Sequence, residues 1–210
     1  MKLYASIIVR SVHGQGWPLP IMNEPVEVTI LMEDEAEAPT RLVGKKIVPI
    51  LEKENGSHMT ESLDIVRYIN AIGIPIFFSD PSPETESWLK VIWPVSLKLA
   101  IPRFTMANFA ELSTSTSRDA YRQREEKAFG NLSELMERTT ELVEEITPKL
   151  QALVSLIQQR QRTDINDILL WPVLRCLSIV KALTFSPAVH DYALSLEAQT
   201  GIPLLFRQAI

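Results

Sequence analysis

Cysteine is nearly missing from this chain. Its 210 residues hold one, Cys176, which excludes an internal disulfide and agrees with a reducing compartment. Histidine is almost as scarce: His13, His58 and His190 stand far apart, without metal-ligand spacing, and no metal is expected. Positive charge is not in excess either. The net charge is −5 and the basic residues are scattered among acidic ones, which leaves no electrostatic footprint for a nucleic-acid partner. The N-terminus lacks the basic region, apolar run and small-residue cleavage site of a secretory signal, so a cytoplasmic setting is expected. The most apolar stretch, ILLWPVLRCLSIVKALTF, is interrupted by Pro172, Arg175 and Lys181. A membrane span needs about 20 mostly apolar residues, so this stretch is expected to be a buried core helix and no membrane partner is expected. Repeats and low-complexity tracts are absent.

What is there is the composition of a soluble globular protein, 46% hydrophobic and 22% charged. The first third alternates strand and helix patterns. KLYASII reads as a buried strand, VEVTILM as a second, IVPILE as a third, and SHMTES as a short fourth after the turn signal ENGS. APTRLVGK predicts a short helix ending at Gly44. ESLDIVRYINAI places Leu63, Ile65, Val66 and Ile69 at helical spacing, with Ser62 at the start. The order predicts a compact α/β unit, a sheet covered by helices.

From Gly73 onward the pattern changes. Gly73, Pro75, Pro81 and Pro83 mark a linker, and every later segment carries apolar residues three and four apart. Separate helical patterns are read in ETESWLKVIWPVSLKLA, in SRDAYRQREEKAFGNLSELMERTTELVEEI, in PKLQALVSLIQQ, in DINDILLWPVLRCLSIVKAL and in AVHDYALSLEAQT. Asp164, with Asp167 three residues on, predicts a capped start for the most apolar of them. Trp88, Trp93 and Trp171 are expected in the core or between the two units. Cys176, inside WPVLRCLSIV, is expected to be a buried, inert thiol.

An α/β unit joined by a short linker to an all-helical one resembles the glutathione transferase architecture. The segments APTRLVGKKIVPIL, ESLDIVRYI, IPRF and DILLWPVLR sharpen this into a resemblance to the bacterial glutaredoxin 2 family, two-domain glutaredoxins built on the transferase plan. The resemblance implies a thioredoxin-like domain over residues 1–72, a linker over 73–84 and an all-helical domain over 85–210. It also implies glutathione as co-substrate, glutathionylated or disulfide-bonded proteins as partners, and a monomer. Val48-Pro49 matches the family's cis-proline position, where the residue before proline pairs its backbone with the cysteinyl part of glutathione. Glu61-Ser62 matches the pair that holds the γ-glutamyl end, with a helix N-terminus offering N–H groups to its carboxylate.

One stretch departs from the family. Residues 6–20, SIIVRSVHGQGWPLP, hold Gly14, Gly16, Pro18 and Pro20 where a first helix belongs, and such residues disfavour a helix interior by about 1 and about 3 kcal/mol each. The family carries a Cys-Pro-aromatic-Cys motif there, and the register places its two cysteines at Val9 and Val12. Valine cannot attack a disulfide, so glutaredoxin chemistry is expected to be absent from the chain as written. The spacing from MKLY to EPVEV is preserved, which points to a shifted reading frame. Codons for Ile8 to Val12 written ATT-GTC-CGT-TCT-GTG contain TGT-CCG-TTC-TGT, which reads Cys-Pro-Phe-Cys. In the same frame Trp17-Pro18 can only give alanine and Met22-Asn23 only glutamate. The alternative reading is a glutathione-binding or transferase-like protein without redox chemistry, in which Ser6 or Ser11 would hydrogen-bond the glutathione thiolate.

Overall fold

The computed structural model describes residues 1–6, 26–158, 160 and 162–210. The N-terminal unit is built on four short strands: β1 (Lys2–Ala5), β2 (Glu27–Ile30), β3 (Ile50–Glu52) and β4 (His58–Met59). They form one sheet in the order β2-β1-β3-β4. β1 and β2 run parallel, whereas β3 is antiparallel to both of its neighbours. Among the described residues two helices accompany the sheet, α1 (Glu37–Val43) and α2 (Ser62–Ile72). The left-handed turn at Gly44, φ 77°, ends α1 at the predicted residue, because glycine adopts that conformation without a Cβ clash. Ile65, Val66 and Ile69 of α2 are buried with Leu3, Ala5 and Leu51 of the sheet, which accounts for their helical spacing.

Six helices follow. They are α3 (Pro83–Phe104), α4 (Ser115–Phe129), α5 (Leu132–Glu137), α6 (Thr139–Ile157), α7 (Ile165–Leu177) and α8 (Pro187–Thr200). The connection from α2 to α3 is held by side chains: Asn70 Nδ2 donates to the Phe77 carbonyl at 2.9 Å and Asn70 Oδ1 accepts from the Ile76 N–H at 2.8 Å. The Ser82 N–H donates to Asn166 Oδ1 at 2.7 Å, tying this connection to α7. Pro83 then opens α3 at a position where no backbone donor is needed.

Two helical boundaries differ from the sequence reading. The long pattern from Ser117 to Ile146 is divided into α4, α5 and the first part of α6, because Gly130 takes φ 78° and the Asn131 side chain accepts from Ser133 and Glu134 N–H groups to restart the chain. Conversely, the two patterns meeting at Pro148 are one helix. Pro148 and the Glu144 carbonyl it leaves without a donor both belong to exposed residues, where water can serve the carbonyl. The apolar stripe Leu142, Ile146, Leu150 and Leu153 continues past the proline unbroken.

A third boundary also differs: the apolar stretch predicted as one core helix is helical only as far as Leu177, where α7, buried along nearly its whole length, ends, and it continues through turns from Ser178. No helix among the described residues is long and apolar enough to cross a membrane. The predicted Asp164–Asp167 cap is present: Asp164 Oδ1 accepts from the Asn166 N–H and Asp167 Oδ2 from the Asp164 N–H, both at 2.7 Å. Trp88 and Trp171 are buried and Trp93 is half-buried, and the Trp88 indole N–H donates to the Lys149 carbonyl at 2.8 Å.

Candidate functional site

Strand register brings the predicted site residues to one end of the sheet. In the β1–β3 pairing Leu3 lies opposite Leu51 and Tyr4 opposite Ile50. Ser6 follows the end of β1 and Val48 precedes the start of β3, so antiparallel pairing puts both at one end of the β1–β3 pair. In the β3–β4 pairing Leu51 lies opposite Met59, so the chain leaves β4 toward Glu61 and Ser62 at the end of the sheet where Val48 and Pro49 enter β3.

The Val48–Pro49 peptide bond is cis, as the resemblance implies. Pro49 is buried and Val48 is half-buried before β3. Glu61 is exposed and occupies the N-cap position of α2, with Ser62 the first helical residue, and the Glu61 side chain makes no capping bond. A helix start presents backbone N–H groups and the positive end of the helix dipole. Val9, Val12 and Ser11 lie outside the described residues. Ser6 is buried, and its hydroxyl donates to Glu111 Oε1 at 2.8 Å.

Val48 and Ser6 line a cavity of about 580 Å³ between the sheet unit and helices α3 and α4. One wall is apolar, made of Leu31, Trp93, Leu97, Ile101 and Phe129. The other carries charges of both signs: Glu33, Lys46, Arg124 and Glu125. Arg124 donates to the Glu33 carboxylate, and Lys46 Nζ donates to the Glu33 carbonyl at 2.6 Å. Burial pushes the Glu33 carboxyl up, against the pull of Arg124 and Lys46. Burial also pushes the Tyr121 phenol, on the same cavity, well above its usual range, so it remains protonated. Ser62 lines a second space of about 410 Å³ between α2, α3 and α7, and Trp93 is shared by both. None of these charged residues stood out in the sequence. Glu33 and Arg124 are 91 positions apart, and no local pattern joins them.

Cys176 belongs to α7, with 0% of its surface exposed. Desolvation pushes its thiol up to about 12, although Arg175 pulls the other way. Since the thiolate is the reactive form, Cys176 in the native protein is expected to resist alkylation at pH 8 and to label only on unfolding. Following iodoacetamide incorporation by mass spectrometry across a urea series checks this. Rapid labelling without denaturant, with a reductase activity lost in Cys176→Ser, would mean that Cys176 is the nucleophile after all. Among the described residues no cluster of three or more His, Cys, Asp or Glu is placed to hold a metal ion.

Comparison with known proteins agrees with this geometry. Residues 84–209 match the family described as glutaredoxin 2, C-terminal domain. Glutaredoxin 2 of Escherichia coli K12 is 37% identical over 195 residues, covering 90% of this chain and 91% of that protein. The crystal structure of glutaredoxin 2 from Salmonella typhimurium, in complex with glutathione, superposes with a TM-score of 0.93 at 31% identity, over 100% of this chain and 98% of that one. An unclassified glutathione S-transferase from Bombyx mori shares the fold at a TM-score of 0.62 and 13% identity, over 99% and 93% of the two chains. The architecture is thus that of the glutathione transferases, a thioredoxin-like sheet unit followed by an all-helical unit, and the chain belongs to the glutaredoxin 2 family.

Proposed function

We propose that this protein binds glutathione at the Val48 end of the sheet and, as written, does not carry out the thiol-disulfide exchange of a glutaredoxin. The observation that carries the reading is the cis Val48–Pro49 bond, which enters β3 at the end of the sheet from which the chain leaves β4 for the start of α2. The Val48 N–H and C=O would pair in antiparallel fashion with the cysteinyl residue of the tripeptide. The γ-glutamyl carboxylate would meet the first N–H groups of α2, with the Ser62 hydroxyl beside them. Exposed Glu61 would face the γ-glutamyl ammonium. Glutathione bound to the Salmonella typhimurium relative supports the same ligand here.

Thiol-disulfide exchange needs a thiolate that attacks one sulfur of a mixed disulfide and expels the other. With Val9 and Val12 at the dithiol positions and Cys176 buried in α7, no thiolate is available at the site. The family's partners, glutathionylated or disulfide-bonded proteins, would be substrates only of a chain that carries the dithiol. We assign residues 1–72 and 85–210 to two domains joined by 73–84, acting as a cytoplasmic monomer. The transferase-like alternative is narrowed by one contact: the Ser6 hydroxyl proton is directed at Glu111, which leaves Ser11 as the hydroxyl to stabilise a glutathione thiolate.

The test is calorimetric titration of wild type and Ser62→Ala with glutathione. Losing one hydrogen bond to a charged group is expected to cost about 1.5–3 kcal/mol, roughly a tenfold to hundredfold weaker Kd. Equal affinity for the two proteins would remove Ser62 from the site.

A further inference from the structure

We infer that Glu111, which belongs to the helical unit, is a positioning residue for the glutathione edge of the sheet; the inference rests on the glutathione reading above. Glu111 sits in a short 3₁₀ turn, Ala110–Leu112, between α3 and α4, and is 0% exposed. It reaches the sheet unit twice. Its carboxylate accepts the Ser6 hydroxyl at 2.8 Å, and its backbone carbonyl accepts the Glu33 N–H at 3.0 Å. Ser6 follows β1 directly and Glu33 lies three residues past β2, so one residue fastens the ends of two adjacent parallel strands.

These are the strand ends that matter for the ligand. Ser6 follows β1 at the end of the sheet where Val48, whose backbone is the predicted glutathione contact, leads into β3, and Ser6 and Val48 line the same cavity. Two further bonds run in parallel nearby, from Ser117 to the Asp34 carboxylate and from Arg124 to that of Glu33, but neither reaches β1. Full burial of a carboxylate is costly unless donors surround it. The two contacts on the sheet unit, to Ser6 after β1 and to Glu33 after β2, assign this buried carboxylate to holding the end of β1 near Val48.

The experiment measures glutathione Kd by calorimetry at a temperature where every variant is folded by circular dichroism. Glu111→Leu is expected to weaken binding about tenfold, and Glu111→Gln, which keeps an acceptor for Ser6, to restore it to within about twofold of wild type. Ser6→Ala removes the same bond with little change in volume and should match Glu111→Leu; it carries the test if the leucine variant fails to fold. Leu150→Ala, in the core of α6, should lower the melting temperature and leave Kd unchanged. Wild-type affinity in both Glu111→Leu and Ser6→Ala, or equal weakening by Leu150→Ala, overturns the positioning role while glutathione binding stands. If wild type itself binds no glutathione, the glutathione reading fails and this inference falls with it.

Discussion

Asp167→Ala is expected to destabilise the protein by about 3–5 kcal/mol, the cost of breaking a buried ionic network from one side. Asp167 is 2% exposed and serves three donors. Oδ2 accepts from the Asp164 N–H and from Arg160 Nη2, each at 2.7 Å, and Oδ1 accepts from the Tyr192 hydroxyl. Removing it breaks the Asp167 half of the capping box, leaves a mostly buried guanidinium paired with Asp164 alone among the described residues, and takes the acceptor from a buried phenol of α8. Burial, the larger cause of that phenol's upward shift, remains in the variant. Asp167→Asn, which keeps the shape and loses the charge, should cost less than Asp167→Ala. Urea unfolding followed by tryptophan fluorescence measures both, and a loss below about 1 kcal/mol for the alanine variant would show that the network contributes little.

The same cap shows which parts of the molecule could be read from the sequence. Asp164 and Asp167 are three residues apart and act within one helical turn, so local spacing was enough to place the start of α7. The Gly44 end of α1 and the apolar stripe of α2 are local in the same way. Where local signals compete, reading by propensity fails: Pro148 looks like a boundary, yet its solvent-facing position and the continuous stripe beneath it keep α6 intact. The candidate site divides along this line. Val48, Pro49, Glu61 and Ser62 were named through the family resemblance, each within a short segment, and of what it implied for them the cis Val48–Pro49 bond is present. Glu33, Lys46, Arg124 and Glu111 were not found. Their contacts span up to 105 positions, and a lone acidic or basic residue on a helix or turn has no signature to distinguish it from a solvated one.

Replacing residues 6–23 with the shifted-frame translation is expected to raise glutathione-dependent disulfide reductase activity by about three orders of magnitude or more, because a covalent route exists only once a nucleophile is present. The restored sequence would carry Cys-Pro-Phe-Cys, with its first cysteine at position 9, three residues past Ser6. Ser6 directly follows β1 at the end of the sheet where Val48 precedes β3, so the thiol would enter where the glutathione cysteine is expected to lie. The helix-forming run Ala-Arg-Ala-Arg-Leu would replace His13 to Trp17, and a thiol at the start of such a helix is held as thiolate by the dipole and the free N–H groups. Its attack on a glutathionylated protein would expel the protein thiolate and leave glutathione on the first cysteine, and a second glutathione would release it as oxidised glutathione, which keeps thiols and electrons in balance. The nucleotides beneath Ala5 to Asn23 decide independently whether this sequence was ever encoded: codons that do not yield Cys-Pro-Phe-Cys in the shifted frame remove the frameshift explanation. Where they do yield it, mass spectrometry of the native protein separates the two origins, since a cysteine-containing peptide marks a misread sequence and a valine-containing one marks a true double frameshift. A recoded protein that binds glutathione, carries both thiols and still reduces no mixed disulfide would show that the loss of activity lies elsewhere in the chain.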